Sequence, residues 1–120
     1  MKLKGVMLGT ENSKQLGEFY TKILGKPGWQ QNDWYGWDVD GGSLMIGSHS
    51  EVKGSNDMPG RIMITFETKD VQKEFDRIQS LGAKVVAKPY QPNKDNSDMW
   101  LATFADPDGN YFQLTPPWKE

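Results

Sequence analysis

The side chains in this sequence that could do acid–base or nucleophilic chemistry are few. His49 is the only histidine, and it lies in a Ser-rich stretch with no evident charged partner to make it a general base. Glu67 is a weak candidate for a base or a hydrogen-bond acceptor, the alternative being a solvated carboxylate near a strand end. Asp106 and Asp108 belong to an Asp-Pro-Asp-Gly sequence, which is typical of a tight turn. With no cysteine, thiolate chemistry, disulfides and cysteine-ligated metals are excluded.

The composition favours a binding surface over nucleic-acid or membrane contact. The 120 residues include five Trp and six Met, which offer rigid flat surfaces and adaptable apolar filling. A net charge of −2 without a basic stripe argues against a nucleic-acid partner. The amino terminus lacks a signal-peptide pattern, and no apolar run reaches membrane-spanning length, so we expect a cytoplasmic protein without membrane contact.

Hydrophobic periodicity and turn residues predict the same order of elements twice. The first half reads as a strand at 2–10, a helix at 13–24 and strands at 29–32, 34–39 and 43–48. The second half reads as a strand at 61–68, a helix between Asp70 and Leu81, and strands at 84–90, 100–105 and 111–115. Gly5 aligns with Met63 and Gly25 with Gly82. The prediction is one α+β domain, 1–120, with module one at 1–50, a linker at 51–60 and module two at 61–120.

Two stretches of the sequence resemble the vicinal oxygen chelate superfamily, which includes glyoxalase I, bleomycin-resistance proteins and extradiol dioxygenases. One stretch runs from Gly5-Val-Met-Leu to Phe19-Tyr20-Thr-Lys-Ile-Leu-Gly25, and the other is Phe104-Ala-Asp-Pro-Asp-Gly-Asn-Tyr-Phe-Gln-Leu114. The resemblance implies two βαβββ modules whose mixed sheets curl into an open, barrel-like cleft. It also implies a homodimer, because metal-free members of the family usually pair across a two-fold axis.

Strand alternation then divides the side chains between a helix-facing set and a cleft-facing set. The helix-facing set is expected to be Val6, Leu8, Leu44, Ile46, Ile62, Ile64, Phe66, Phe112 and Leu114. The ligand-binding cleft is expected to be lined by Met7, Met45, Met63, Thr65, Glu67, Tyr111 and Gln113. Trp34, Tyr35, Trp37 and Trp118 could stack on a ligand, and the tryptophans of module one would form an aromatic wall of the cleft.

The metal-ligand positions that the resemblance carries over are Gly5, Met63 and Gln113, with Met45 as the fourth by strand alternation. Relatives that depend on a metal hold His, Glu or Gln at these places. Glycine donates nothing, and a thioether is a poor ligand for Zn, Mg, Mn or non-haem Fe. We therefore expect no metal and no other cofactor. The three methionines either form a deformable pocket or fill the cleft as core.

The expected function is metal-independent binding, with possible sequestration or resistance, of a planar or hydrophobic small molecule. Bleomycin itself is an improbable ligand because it is strongly cationic and this chain is only weakly acidic. An enzyme is the main alternative: a lyase or isomerase of the glyoxalase type, either cofactorless and using Glu67 or with a metal site at other residues. A protein-interaction domain with a filled cleft is a third interpretation.

Overall fold

The structure is a computed structural model that describes residues 1–118 of the chain. It consists of two compact units, Met1–Ser55 and a second unit that starts at Asn56. Each unit has one helix and one four-stranded sheet in the order βαβββ, which confirms the predicted α+β fold. Residues 119–120 of the predicted module two lie outside the described residues. Within 1–118, neither helix is long and apolar enough to cross a membrane.

Unit one is built on a sheet, here called sheet one, in which the first and last strands are neighbours. Its elements are β1 (Gly5–Thr10), α1 (Ser13–Leu24), β2 (Trp29–Gln31), β3 (Trp34–Val39) and β4 (Gly42–Ser48). The strand order is β1-β4-β3-β2, with β1 parallel to β4 and the other pairs antiparallel. The parallel pair needs a crossover, and α1 supplies it.

Helix α1 begins and ends at the residues that its sequence signals indicate. The Asn12 side chain accepts a hydrogen bond from the Gln15 amide (3.3 Å), and Gly25 ends the helix with φ of 92°. Its buried face, which includes Leu16, Tyr20 and Ile23, packs on one side of sheet one. Burial of this apolar stripe holds the helix in place.

Unit two repeats the arrangement in a second sheet, here called sheet two. Its elements are β5 (Ile64–Glu67), α2 (Val71–Ser80), β6 (Lys84–Tyr90), β7 (Leu101–Ala105) and β8 (Tyr111–Thr115). The strand order is β5-β8-β7-β6, with β5 parallel to β8. The turn before β8 depends on Asp106, whose buried carboxylate accepts hydrogen bonds from the backbone amides of Asp108 and Asn110 (both 3.0 Å). Asp106 therefore has the structural role that the turn sequence predicts.

The core of unit two is aromatic and lies between α2 and sheet two. Phe75 of α2 stacks on Phe104 with ring centroids 5.1 Å apart, and Phe104 stacks on Phe112 at 5.5 Å. The helix begins at Asp70, whose side chain accepts from the Lys73 amide (3.0 Å). On its outer side, the hydrogen bond to the Glu74 carboxylate raises the pKa of Arg77.

Strands β1 and β5 each begin three residues later than predicted, and some residues predicted to face a helix are exposed. Strand β1 starts at Gly5, its first register partner being Ser43. Strand β5 starts at Ile64, because a turn with the Arg61 amide bonded to the Met58 carbonyl (3.0 Å) precedes it. The prediction that Ile62 packs under a helix is wrong: Ile62 lies before the strand and is 75% exposed. Val6 is 37% exposed, whereas Leu44, Ile46, Phe112 and Leu114 are buried as predicted.

Candidate site on the open face of sheet one

The side of sheet one opposite α1, here called the open face, carries large apolar side chains that remain accessible. The strand register places Met7 beside Met45, Met45 beside Gly36, and Gly36 beside Trp29. These four residues form one row across all four strands. Met7 is 45% exposed, Met45 37% and Trp29 47%. Side chains of this size are not normally left accessible together without a reason, so the row is the first candidate for a binding surface.

Two indoles lie flat on this face because glycines of the neighbouring strand leave room for them. A β-carbon added at Gly47 would overlap the six-membered ring of Trp34, and one added at Gly36 would lie 3.4 Å from Cε3 of Trp29. A glycine in a strand interior commonly marks such a close approach. The glycines thus let each indole rest against the backbone of the sheet instead of standing away from it.

Tyr35 and Trp37 do not line the open face, which corrects the prediction that they stack on a ligand in the cleft. Both are buried, at 8% and 4% exposure, and their rings stack 6.1 Å apart on the α1 side. A β-carbon at Gly17 of α1 would lie 2.5 Å from the Tyr35 ring, and Trp37 Nε1 donates to the Gly25 carbonyl (2.8 Å). Adjacent residues of a strand point to opposite faces, so Trp34 and Tyr35 cannot share one. These two rings are core residues.

The predicted cleft residues of unit two lie on or beside the face of sheet two that is opposite α2. Gln113 Nε2 donates to Thr65 Oγ1 (2.9 Å) across the parallel pair β5–β8. Tyr111 is half-buried on the same side of β8, two residues from Gln113. Met63 is half-buried and lies just before β5 instead of within it. This face therefore offers amide and hydroxyl groups where the open face of sheet one offers indoles and thioethers.

The two candidate bases have surroundings that suit solvated side chains. Glu67 ends β5 and is exposed, and its carboxylate accepts no hydrogen bond from another residue among 1–118. His49 follows β4 and is exposed, and its Nδ1 accepts from the Glu51 amide (3.2 Å). Among residues 1–118, neither side chain has the enclosed position that a general base requires, and Glu67 also lacks an orienting partner.

The remaining tryptophans lie in unit two. Trp118 is exposed, and its Nε1 donates to Thr115 Oγ1 (3.1 Å), which holds the indole against the end of β8. Trp100 is 41% exposed and lies just before β7. It lines a cavity of about 220 Å³ together with Pro89, Pro116 and residues 69–72.

The residues at the superfamily's metal-ligand positions do not fit a hard divalent cation. Gly5 has no donor, and a β-carbon there would overlap the Ser43 carbonyl, so the backbone leaves no room for a side chain. Met45 and Met63 offer thioethers, which suit soft metals only. Gln113 offers one neutral amide, whose nitrogen already donates to Thr65. Among residues 1–118, no three His, Cys, Asp or Glu side chains cluster in a way that could hold a metal ion.

The sequence indicates Trp29 only as one of the tryptophans of module one, and it does not indicate the glycines beneath the indoles. Strand β2 has only three residues, too few for alternation to show which face Trp29 occupies. The pairing of Trp29 with Gly36 supplies that information, and it depends on register across the Asn32-Asp33 turn. A glycine opposite a tryptophan in a predicted hairpin is the signal that could have indicated that the Trp29 indole packs against Gly36.

Comparison with known proteins places this architecture among glyoxalase-related folds. A solved glyoxalase-related enzyme from Fulvimarina pelagi shares the fold with a TM-score of 0.77 at 16% identity, covering 98% of this chain and 88% of that one. A glyoxalase/bleomycin resistance protein from Albidiferax ferrireducens T118 does so with a TM-score of 0.74 at 18% identity, covering 96% and 98%. Uncharacterized protein YraH of Bacillus subtilis (strain 168) is 26% identical over 126 residues, covering 95% of this chain and 97% of YraH. The glyoxalase-like domain family matches residues 5–115, and the chain therefore belongs to that family, within the vicinal oxygen chelate superfamily.

Proposed function

We propose that this protein binds a planar, largely apolar small molecule on the open face of sheet one and that binding needs no metal ion. The observation that carries the proposal is the exposed row of Trp29, Met45 and Met7, with Trp34 lying on the same face. Flat rings stack on indoles, and thioethers adapt to the outline of whatever lies against them. A face of this kind favours a ligand with an extended π system.

Metal independence is supported by the donor set and by the space around it. A Lewis acid would need hard oxygen or nitrogen ligands at positions where this chain has Gly5, Met45, Met63 and Gln113. Gly5 cannot be replaced by a ligand without moving the Ser43 carbonyl. Binding and holding a molecule requires none of these groups, whereas polarising a substrate through a metal does.

Sequestration is the form of binding that we propose, and a homodimer is the assembly. One structural relative is named as a glyoxalase/bleomycin resistance protein, and resistance by capture of a small molecule requires no reaction. The cofactorless lyase or isomerase alternative has less support, because Glu67 is exposed and no described residue positions it. Sedimentation equilibrium tests the dimer, since a protein that stays at 13.6 kDa at every concentration would contradict it.

Calorimetric titration of acridine into the wild type and two tryptophan variants tests the proposed site. Trp29→Leu removes an exposed indole from the open face, and Trp100→Leu removes one of similar exposure from unit two. We expect Trp29→Leu to weaken binding about fivefold and Trp100→Leu to leave it unchanged, because a stacked aromatic pair contributes about 1 kcal/mol. Equal loss in both variants, or no binding to the wild type, would contradict the proposal.

A further inference from the structure

The four strands of sheet one contain a single charged side chain, Asp38. The strand sequences are Gly-Val-Met-Leu-Gly-Thr, Trp-Gln-Gln, Trp-Tyr-Gly-Trp-Asp-Val and Gly-Ser-Leu-Met-Ile-Gly-Ser. Every other polar group on these strands is neutral. Asp38 is therefore the only full charge on a strand of sheet one, among residues that are otherwise apolar, small or uncharged.

Asp38 lies on the open face, beside the row that holds the indole and the thioethers. It is two residues from Gly36 on β3, so both positions belong to the same side of the sheet, about 7 Å apart along the strand. Its register partner is Ser43, and Ser43 Oγ donates to Asp38 Oδ1 (3.0 Å). That hydrogen bond holds the carboxylate at the sheet surface.

The Asp38 carboxylate has no cationic partner among residues 1–118. No Lys or Arg nitrogen of that part of the chain lies within ion-pair distance of it, including those of Lys2 and Lys4, which precede β1. Ser43 uses one acceptor site, and a carboxylate has about four. The group is exposed, so a ligand can reach the remaining sites without a change in the fold.

We infer that the ligand class is a planar organic cation carrying one positive charge, stacked on the Trp29 side of the open face with its cationic end toward Asp38. This inference rests on the proposed function and adds the charge of the ligand to it. An indole face attracts a cation through its quadrupole, and a carboxylate one strand repeat away attracts the same charge. A single carboxylate matches a monocation and gives no reason to favour a polycation.

The test compares two probes of almost the same shape, N-methylacridinium and acridine, at mildly alkaline pH, where acridine is neutral. Calorimetry gives the affinity of each probe for the wild type and for Asp38→Asn, which keeps the shape of the side chain and an acceptor for Ser43. Glu18→Gln is the control, because Glu18 is an exposed carboxylate on α1, on the other side of the sheet.

We expect the wild type and Glu18→Gln to bind the cation about tenfold more tightly than neutral acridine. Asp38→Asn should reduce that preference to about threefold and leave the affinity for neutral acridine unchanged. Equal binding of both probes by the wild type, or an Asp38→Asn variant that keeps the full preference of the wild type, would overturn the inference while the proposed function stood. Binding of neither probe would overturn both.

Discussion

The indole of Trp34 rests on Gly47 of the neighbouring strand, with no space between them for a methyl group. This contact explains how the half-buried Trp34 ring lies against the backbone of the sheet. The glycine supplies the flat backbone, and the antiparallel pairing of β3 with β4 brings the ring to it. A substitution at Gly47 therefore tests whether the Trp34 ring lies where the structure places it.

Gly47→Ala should displace the Trp34 ring and destabilise the fold by about 1–3 kcal/mol, the usual cost of overpacking. It should also weaken the binding of a planar ligand. Gly36→Ala is the matched control, since its β-carbon would lie at ordinary contact distance, 3.4 Å, from Trp29. Urea denaturation and calorimetry measure the two effects. Similar stability of both variants would contradict the close contact between the Trp34 ring and Gly47.

Gly17→Ala tests the packing of Tyr35 under α1. Alanine in an exposed helix interior stabilises by about 1 kcal/mol relative to glycine, but here its β-carbon would lie 2.5 Å from the Tyr35 ring. We expect a loss of about 1–3 kcal/mol in the free energy of unfolding instead.

A double-mutant cycle distinguishes overlap with the Tyr35 ring from a general effect of alanine on the stability of α1. Tyr35→Leu removes the ring, so Gly17→Ala in that background should cost at least about 1 kcal/mol less than in the wild type. An additive result, with the same cost in both backgrounds, would show that the Tyr35 ring does not occupy the space above Gly17.

Trp37→Phe separates the buried tryptophan from the open-face tryptophans. It removes the hydrogen bond to the Gly25 carbonyl and should destabilise the fold by about 1–2 kcal/mol, while ligand affinity stays unchanged. Trp100→Phe, at an exposed position, should change stability by less than about 0.5 kcal/mol. A Trp37→Phe variant that kept full stability but lost ligand binding would show that Trp37 belongs to the binding site and not to the core.

The fold could be predicted from the sequence because its local signals agree with its long-range pairing. Asn12 and Gly25 bound α1 at the predicted residues, and the alternation of Met7 and Met45 places both on the open face. The site was only partly predictable. Strand alternation separates Trp34 from Tyr35, but only the contact with Gly17 shows that Tyr35 is the one under the helix.

Other features depend on register, which one sequence does not reveal. The contact of Trp34 with Gly47 and the hydrogen bond from Ser43 to Asp38 both join residues of different strands. Both contacts belong to the β3–β4 pair, and a shift of one residue in that pairing would move every side chain of one strand to the other face. Gly41, in the turn between β3 and β4, has a positive φ and helps to set this register, as Asn32 does for the β2–β3 pair.

The most direct test of the central claim is a calorimetric titration of acridine into the protein before and after exhaustive removal of metals with a chelator. Because the donor set offers thioethers, one amide and bare backbone, we expect the Kd to stay within about twofold. A Kd that rises on chelation and is restored by stoichiometric Zn²⁺ or Mn²⁺ would contradict metal-independent binding on the open face.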